Sequence, residues 1–333
     1  MLSLNRIGFR SLALAAIGTT LISCGGEGTN TASSTDAPYI AVTQIVEHPA
    51  LDAVRDGLKD ELAAAGYEAG DSLKWEWESA QGQPATAAQI AQKFVGENPD
   101  LIVAIATPSA QAVAAANDDT PVVFSAVTDP VAAELVSDPN APGGLITGVS
   151  DLSPIDQHMA LIREVLPEAQ RLGVIYSAGE ANSVSLVELI KQEAPAQGFT
   201  DVVEATVSSS ADVATAANSL VGKVDAIYIP TDNTVVSALE SVLKVGAEQQ
   251  IPIFAGDTDS VERGAIAGIS FDYYDVGRQT GDVVLRILNG ESPGEIPVET
   301  VDTVQLAVNP AAAEAMGVTL PEAVVNRADQ VIE

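Results

Sequence analysis

Three stretches of this chain occur twice, in the same order. Asp100-Leu-Ile-Val-Ala-Ile-Ala-Thr107 is echoed by Asp225-Ala-Ile-Tyr-Ile-Pro-Thr-Asp232, and Thr120-Pro-Val-Val-Phe124 by Ile251-Pro-Ile-Phe254. Gly144-Leu-Ile-Thr-Gly-Val-Ser150 returns as Gly264-Ala-Ile-Ala-Gly-Ile-Ser270. One echo carries little, because apolar strands resemble one another. Three in order predict two lobes of one topology, which suits 333 residues at roughly 150 residues per domain.

Within each half, strand and helix patterns alternate. Tyr39 to Val46 is an apolar, β-branched run and predicts a buried strand. Pro49 opens a helical stretch from Ala50 to Ala65, in which Leu51, Val54, Leu58 and Leu62 recur every three or four residues and form one stripe. Gly66 stops it. Leu73, Trp75 and Trp77 alternate with Lys74, Glu76 and Glu78, the pattern of a half-exposed strand. A helix around Ala85–Val95, a strand Leu101–Ala106, a helix Ala110–Asn117 and a strand Val122–Val127 follow. Strands separated by helices imply parallel sheets with right-handed crossovers. The expected fold class is therefore α/β, two similar Rossmann-like lobes joined by a hinge. The first lobe is expected over 39–147 with about 273–296, the second over 148–272 with about 297–333.

Residues 1–23 read as an export signal, with Arg6 and Arg10 ahead of the apolar stretch Leu12 to Ile22. That stretch falls short of the ~20 apolar residues a permanent membrane helix needs. It ends in Leu21-Ile22-Ser23-Cys24, which resembles a bacterial lipobox, so Cys24, the chain's single cysteine, is the expected lipidation site. Residues 24–38, rich in Gly, Ser, Thr and Ala, should be a flexible tether. The expected location is thus exported and lipid-anchored at the cell envelope of a bacterium.

Asp and Glu number 46 against 15 Lys and Arg, a net charge of −31. A surface that acidic repels phosphate backbones and argues against nucleic-acid binding. One cysteine excludes an internal disulfide and a thiolate zinc cluster, and two histidines, His48 and His158, exclude a His-rich metal site. The sequence offers no Walker loop, no nucleophile elbow and no His partner for a serine. Neither enzymatic activity nor a cofactor is expected.

In open α/β sheets ligands bind beyond the carboxyl ends of the strands. Two facing lobes would enclose a cleft lined by those loops and close on a small molecule by a hinge motion. The candidate loops are Gln44 to Pro49, Thr107 to Gln111, Val127 to Pro130, Tyr176 to Ser183, Thr231 to Asn233, and Asp257 to Asp259. Thr107 and Ser109 stand where a helix starts, and either bind a carboxylate or cap the helix. Asp129, before Pro130, is either a ligand residue or an N-cap with Pro at N1. His48 lies in a candidate loop; His158 falls in the helical pattern Ile155 to Leu166, on its expected solvated face. The arginines sit in or beside helix patterns, so the cleft lacks an evident anion clamp. Strand-end acids could hold an ammonium, with Phe124, Tyr176, Tyr228, Tyr273 and Tyr274 as candidates for an apolar wall. That combination suits a zwitterion with an apolar side chain.

The body resembles the ABC-transporter substrate-binding proteins of the tryptophan/tyrosine-binding type, which have the type I periplasmic-binding fold. The resemblance rests on Glu47-His48-Pro49-x-Leu51-Asp52, Ala106-Thr107-Pro108-x-Ala110-Gln111-Ala112, Val127-Thr128-Asp129-Pro130 and Gly148-Val149-Ser150-Asp151. It continues in Glu180-x-Asn182-Ser183, Thr231-Asp232-Asn233-Thr234 and Asp272-Tyr273-Tyr274-x-x-Gly277-Arg278-Gln279. It implies a monomer that captures a small ligand, an aromatic amino acid, and delivers it to a membrane permease and its ATPase. By motif position, Thr107 and Ser109 would hold the carboxylate, and Asp232 and Asp129 the ammonium. Asn182, Ser183, Asn233 and Asp257 would complete a polar ring, with Gln44, His48 and Tyr176 beside it. Ser177-Ala178 departs from the Asn-Pro that relatives often carry there. A sensory lipoprotein with the same cleft, or a receptor for branched aliphatic amino acids or another small metabolite, would fit the same sequence features.

Overall fold

The computed structural model describes residues 37–301 and 303–333; the expected signal, Cys24 and most of the tether lie outside them. Residues 37–333 form one compact unit that contains two separate hydrophobic cores. Among the described residues no helix is long and apolar enough to cross a membrane.

The first sheet begins with β1 (Tyr39–Gln44), β2 (Lys74–Ser79), β3 (Leu101–Ile105), β4 (Val122–Ser125) and β5 (Ile146–Ser150). Helices α1 (Pro49–Ala64), α2 (Pro84–Gly96) and α3 (Thr107–Ala116) connect them. The chain then crosses to the second lobe and builds α4 (Ile155–Val165), β6 (Arg171–Ser177), α5 (Ala181–Glu193), β7 (Asp201–Val207) and α6 (Val213–Leu220). It continues through β8 (Ala226–Ile229), α7 (Asn233–Val236), α8 (Leu239–Gln249), β9 (Ile253–Ala255), α9 (Thr258–Arg263) and β10 (Ala267–Ser270). A second crossing returns it to the first lobe for α10 (Tyr273–Leu288) and β11 (Glu299–Thr300). After a third it ends in the second lobe with β12 (Gln305–Val308), α11 (Pro310–Ala315), α12 (Glu322–Asn326) and β13 (Gln330–Val331).

The first sheet runs β11-β5-β4-β3-β1-β2 and the second β13-β12-β10-β9-β8-β6-β7. Five strands of each therefore follow one order, with β1 to β5 matching β6 to β10. All pairings among them are parallel; the antiparallel pair is β10 with β12. The three sequence echoes fall on β3 and β8, β4 and β9, and β5 and β10, so the repeated words mark equivalent strands. The expected lobe limits need adjustment. Strand β5 pairs with β4 up to Gly148 and with β11 at Val149 and Ser150, so the chain stays in the first sheet to Ser150 and crosses from Asp151. Strand β11 likewise keeps the chain in the first sheet to Thr300, beyond the expected 296.

Two helices of the first lobe approach unusually closely. A Cβ on Gly57 of α1 would lie 2.1 Å from the Tyr274 carbonyl oxygen, and one on Gly277 of α10 2.1 Å from that of Val54. Only glycine permits this crossing, which sets the starts of α1 and α10 at the edge of the inter-lobe space.

One expectation fails on burial. His158 is 2% exposed, because Ile155, Met159, Leu161 and Ile162 share the buried stripe of α4 with it. Its Nδ1 is hydrogen-bonded to the hydroxyl of Tyr228, and the rings meet edge to face at 5.5 Å. Burial lowers its pKa to about 4, and that of His48 also to about 4. Each ring binds a proton more weakly folded than unfolded. The stability each contributes is present above pH ~6.5 and is lost as the pH falls through about 4. With two histidines in the chain, NMR titration should show both imidazoles changing charge near pH 4. A resonance titrating near 6.5 would place that ring in water instead.

Candidate functional site

Residues that follow β3, β4 and β5 meet those that follow β8 and β9 around one cavity between the lobes. The first lobe contributes Ala106, Thr107, Ala126 and Thr128, the start of α1 (His48, Ala50, Leu51) and Tyr273 at the start of α10. Asp151 joins from the first crossing, and Asn182, Thr231, Asp232, Asn233, Val236 and Asp257 from the second lobe. The cavity has a volume of about 20 Å³. A ligand of more than a few atoms can therefore enter only when the lobes part. An outer groove of about 520 Å³ lies between Pro84, Ala88 and Pro108 of the first lobe and Ala178, Glu180 and Val207 of the second.

Backbone geometry at the cavity is strained. Ala106 has φ +73° and Ala126 φ +52°, a region that costs residues with a Cβ of order 1–3 kcal/mol. The Ala106 amide donates to the Ser125 carbonyl at 2.9 Å, so the two strand ends hold each other in place. This turn aims the N-terminus of α3, opened by Thr107-Pro108, into the inter-lobe space. The Thr107 hydroxyl is buried and has no partner, and the same is true of Thr231 Oγ1, Asn182 Oδ1 and His48 Nδ1. Buried polar atoms are normally hydrogen-bonded, so four unpaired ones around a single cavity mark a surface shaped for a ligand.

Three buried carboxylates line the same space. Asp232 caps α7, with Oδ1 accepting from the Val235 amide at 2.8 Å, and Oδ2 accepts from the Ser177 amide at 2.5 Å and the Ser183 hydroxyl at 2.6 Å. Burial, and next the charge of Glu180, raise its pKa to about 7. Asp257 caps α9 through the Ser260 amide at 2.7 Å and hydroxyl at 2.8 Å, and burial raises it too. Asp151 accepts from Thr128 Oγ1 and Tyr273 OH, each at 3.0 Å, and burial again pushes its pKa up. No Lys or Arg lines the cavity among the described residues. His48, held near 4 by burial, is neutral at physiological pH.

Of the residues expected from sequence, His48, Thr107, Asn182, Asp232, Asn233 and Asp257 line the cavity. The others lie elsewhere. Asp129 caps the turn after it, accepting from the Val131 and Ala132 amides at 3.1 and 2.9 Å. Gln44 donates to Asp52 and to the Val46 carbonyl, each at 2.9 Å. Tyr176 donates to Glu204 at 2.6 Å. Ser183 stands behind the wall and holds Asp232. Ser109 is buried beside the site with its hydroxyl unpaired. Among the expected aromatic wall residues only Tyr273 reaches the cavity; Phe124 and Tyr228 pack in the two cores, and Tyr274 bonds Asp60 at 2.8 Å. Thr128 and Thr231 lie in loops expected from sequence without being singled out there, and Asp151 lies outside those loops. Each follows a predicted strand, and that position was the available signal.

A family model described as ABC transporter substrate binding protein matches residues 39–332. The chain belongs to that family. This substrate-binding protein is 41% identical over 288 residues to a tyrosine-binding protein of Clostridioides difficile, covering 86% of this chain and 83% of the other. It is also similar to the ABC domain in complex with L-Trp from Streptococcus pneumonia, with 37% identity and a TM-score of 0.86. The ligand-free, open structure of a substrate-binding protein from Clostridium difficile is 39% identical but superposes less well, at a TM-score of 0.67. Both comparisons cover 89% of this chain and 99% of the other. At equal coverage and similar identity, this substrate-binding protein superposes better on the tryptophan complex than on the ligand-free, open structure.

Proposed function

We propose that this substrate-binding protein captures an aromatic amino acid as a zwitterion between its lobes and delivers it to the permease and ATPase of an ABC importer. The observation that carries the reading is the unpaired Thr107 hydroxyl at the start of the ten-residue helix α3, in a cavity that also holds buried acids and, among the described residues, no Lys or Arg in its lining. The helix start suits a carboxylate through its dipole and free amides, and the acids suit an ammonium. Leu51, Ala126, Val236 and the Tyr273 ring supply apolar wall. The relatives that bind tyrosine and tryptophan support the same ligand class. Parting of the lobes at the three crossings admits the ligand. An export signal over residues 1–23, lipid on Cys24 and a tether over 24–38 complete the reading, holding the body at the extracytoplasmic face beside its permease.

Thermal unfolding against a panel of amino acids tests it. A ligand at 1,000 times its Kd adds about 4 kcal/mol, so tryptophan, tyrosine or phenylalanine should raise the midpoint by several degrees. Stabilisation by a sugar or polyol, with the three aromatic amino acids silent, would show the ligand class to be wrong.

A further inference from the structure

The three acids of the cavity are not equivalent. Asp232 and Asp257 each cap a helix in the second lobe, and each has a serine hydroxyl in addition. Their carboxylates have structural work that accounts for their burial. Asp151 has none. It is 4% exposed, caps no helix, and among the described residues pairs with no basic side chain. Its side-chain partners are two neutral hydroxyls, Thr128 Oγ1 and Tyr273 OH. A carboxylate has about four lone-pair sites; two hydroxyls and its own backbone amide still leave at least one of them open. Buried charge is costly without a compensating partner.

From the second lobe, Asn182 presents the complementary feature. It is 3% exposed; its amide nitrogen donates to the Thr231 carbonyl at 3.0 Å, which fixes the side chain and leaves Oδ1 as an unpaired acceptor. A carboxylate with an open lone pair and an unpaired amide oxygen in one cavity both ask for a donor that carries positive charge.

We propose that Asp151 is the seat of the ligand's ammonium group, with Tyr273 and Thr128 as positioning residues that hold its carboxylate and Asn182 as the acceptor from the opposite lobe. This rests on the zwitterion reading above and moves the ammonium from Asp232, the position suggested by sequence motif, to Asp151. It also ties binding to closure. Asp151 opens the first crossing and Tyr273 follows directly on the second, so an ammonium at Asp151 joins two of the three inter-lobe connections to the ligand and, through Asn182, to the second lobe.

The test is calorimetric and compares whichever of tryptophan, tyrosine or phenylalanine the wild type binds best with its des-amino acid. Wild type should prefer the amino acid by about 100-fold or more, because a buried acceptor left without its donor is costly. Asp151→Asn should reduce that ratio below about tenfold, mainly by weakening the amino acid. Tyr273→Phe, which keeps the ring and frees Asp151 Oδ2, should reduce it by about tenfold and lower the unfolding midpoint of the ligand-free protein, because a buried carboxylate loses one of its donors. Asp232→Asn, which disturbs the cavity wall, should weaken the amino acid and its des-amino analogue alike and so keep their ratio near the wild-type value. A wild-type ratio retained in Asp151→Asn overturns the assignment; should that variant fail to fold, an unchanged ratio in Tyr273→Phe does so. Loss of the ratio in Asp232→Asn alone returns the ammonium to Asp232. A wild type that binds no aromatic amino acid defeats the zwitterion reading itself, and the Asp151 assignment with it.

Discussion

Gly277→Val will destabilise the first lobe by about 3 kcal/mol or more, at the upper end of what overpacking costs. The new Cβ alone would stand 2.1 Å from the Val54 carbonyl oxygen and 2.8 Å from its carbon. These are backbone atoms of a neighbouring helix, so no rotamer change can relieve the contact. Gly57→Val should behave alike, since its Cβ would meet the Tyr274 carbonyl oxygen at 2.1 Å. Gly96→Ala is the control. Nothing lies within 4 Å of a Cβ there, and replacing a helical glycine by alanine should stabilise by up to about 1 kcal/mol. Chemical denaturation of the three variants measures both signs. An unchanged midpoint for Gly277→Val would mean that α1 and α10 do not cross as described, and the placement of His48 and Tyr273 at the cavity would lose its support.

Thr107→Val should separate stability from binding, and in opposite directions. The hydroxyl is buried without a partner, so an isosteric methyl leaves the ligand-free protein as stable as before or more so. A hydrogen bond to a charged carboxylate contributes roughly 1.5–3 kcal/mol, so affinity for the amino acid should fall about 10- to 150-fold. The amino-acid amide, which lacks the charge, should lose much less. Titration calorimetry and thermal unfolding on the same preparations supply both numbers. Unchanged affinity in a folded variant would remove Thr107 from the carboxylate site.

The fold was legible because it is written locally and then written again. The apolar run at Tyr39 and the Leu51–Leu62 stripe each announce one element, and the echoed strands announce that the elements recur. Candidate loops were legible for the same reason: the crevice lies beyond strand ends, and Thr107, Asp232 and Asp257 each come just after a strand. Long-range pairing was not legible. Asp151 meets Tyr273 across 122 positions, and nothing near either residue signals the other. Asp129 precedes a short turn and Asp257 caps α9 in the equivalent half, yet only Asp257 faces the cavity. Polarity alone points His158 to the solvated face of α4, whereas its neighbours one turn away, Ile155, Leu161 and Ile162, all point inward and take it with them. Its hydrogen-bond partner, Tyr228, lies 70 positions away on β8.

The most direct test of the central claim is a co-crystal structure of residues 37–333 with the aromatic amino acid that binds best. The account predicts the ligand between the lobes, with its carboxylate at the start of α3 within hydrogen-bond distance of Thr107, its ammonium against Asp151, and its ring toward Leu51 and Val236. A ligand held in the outer groove between Pro84 and Val207, or one with its carboxylate on the second lobe's side, would contradict it.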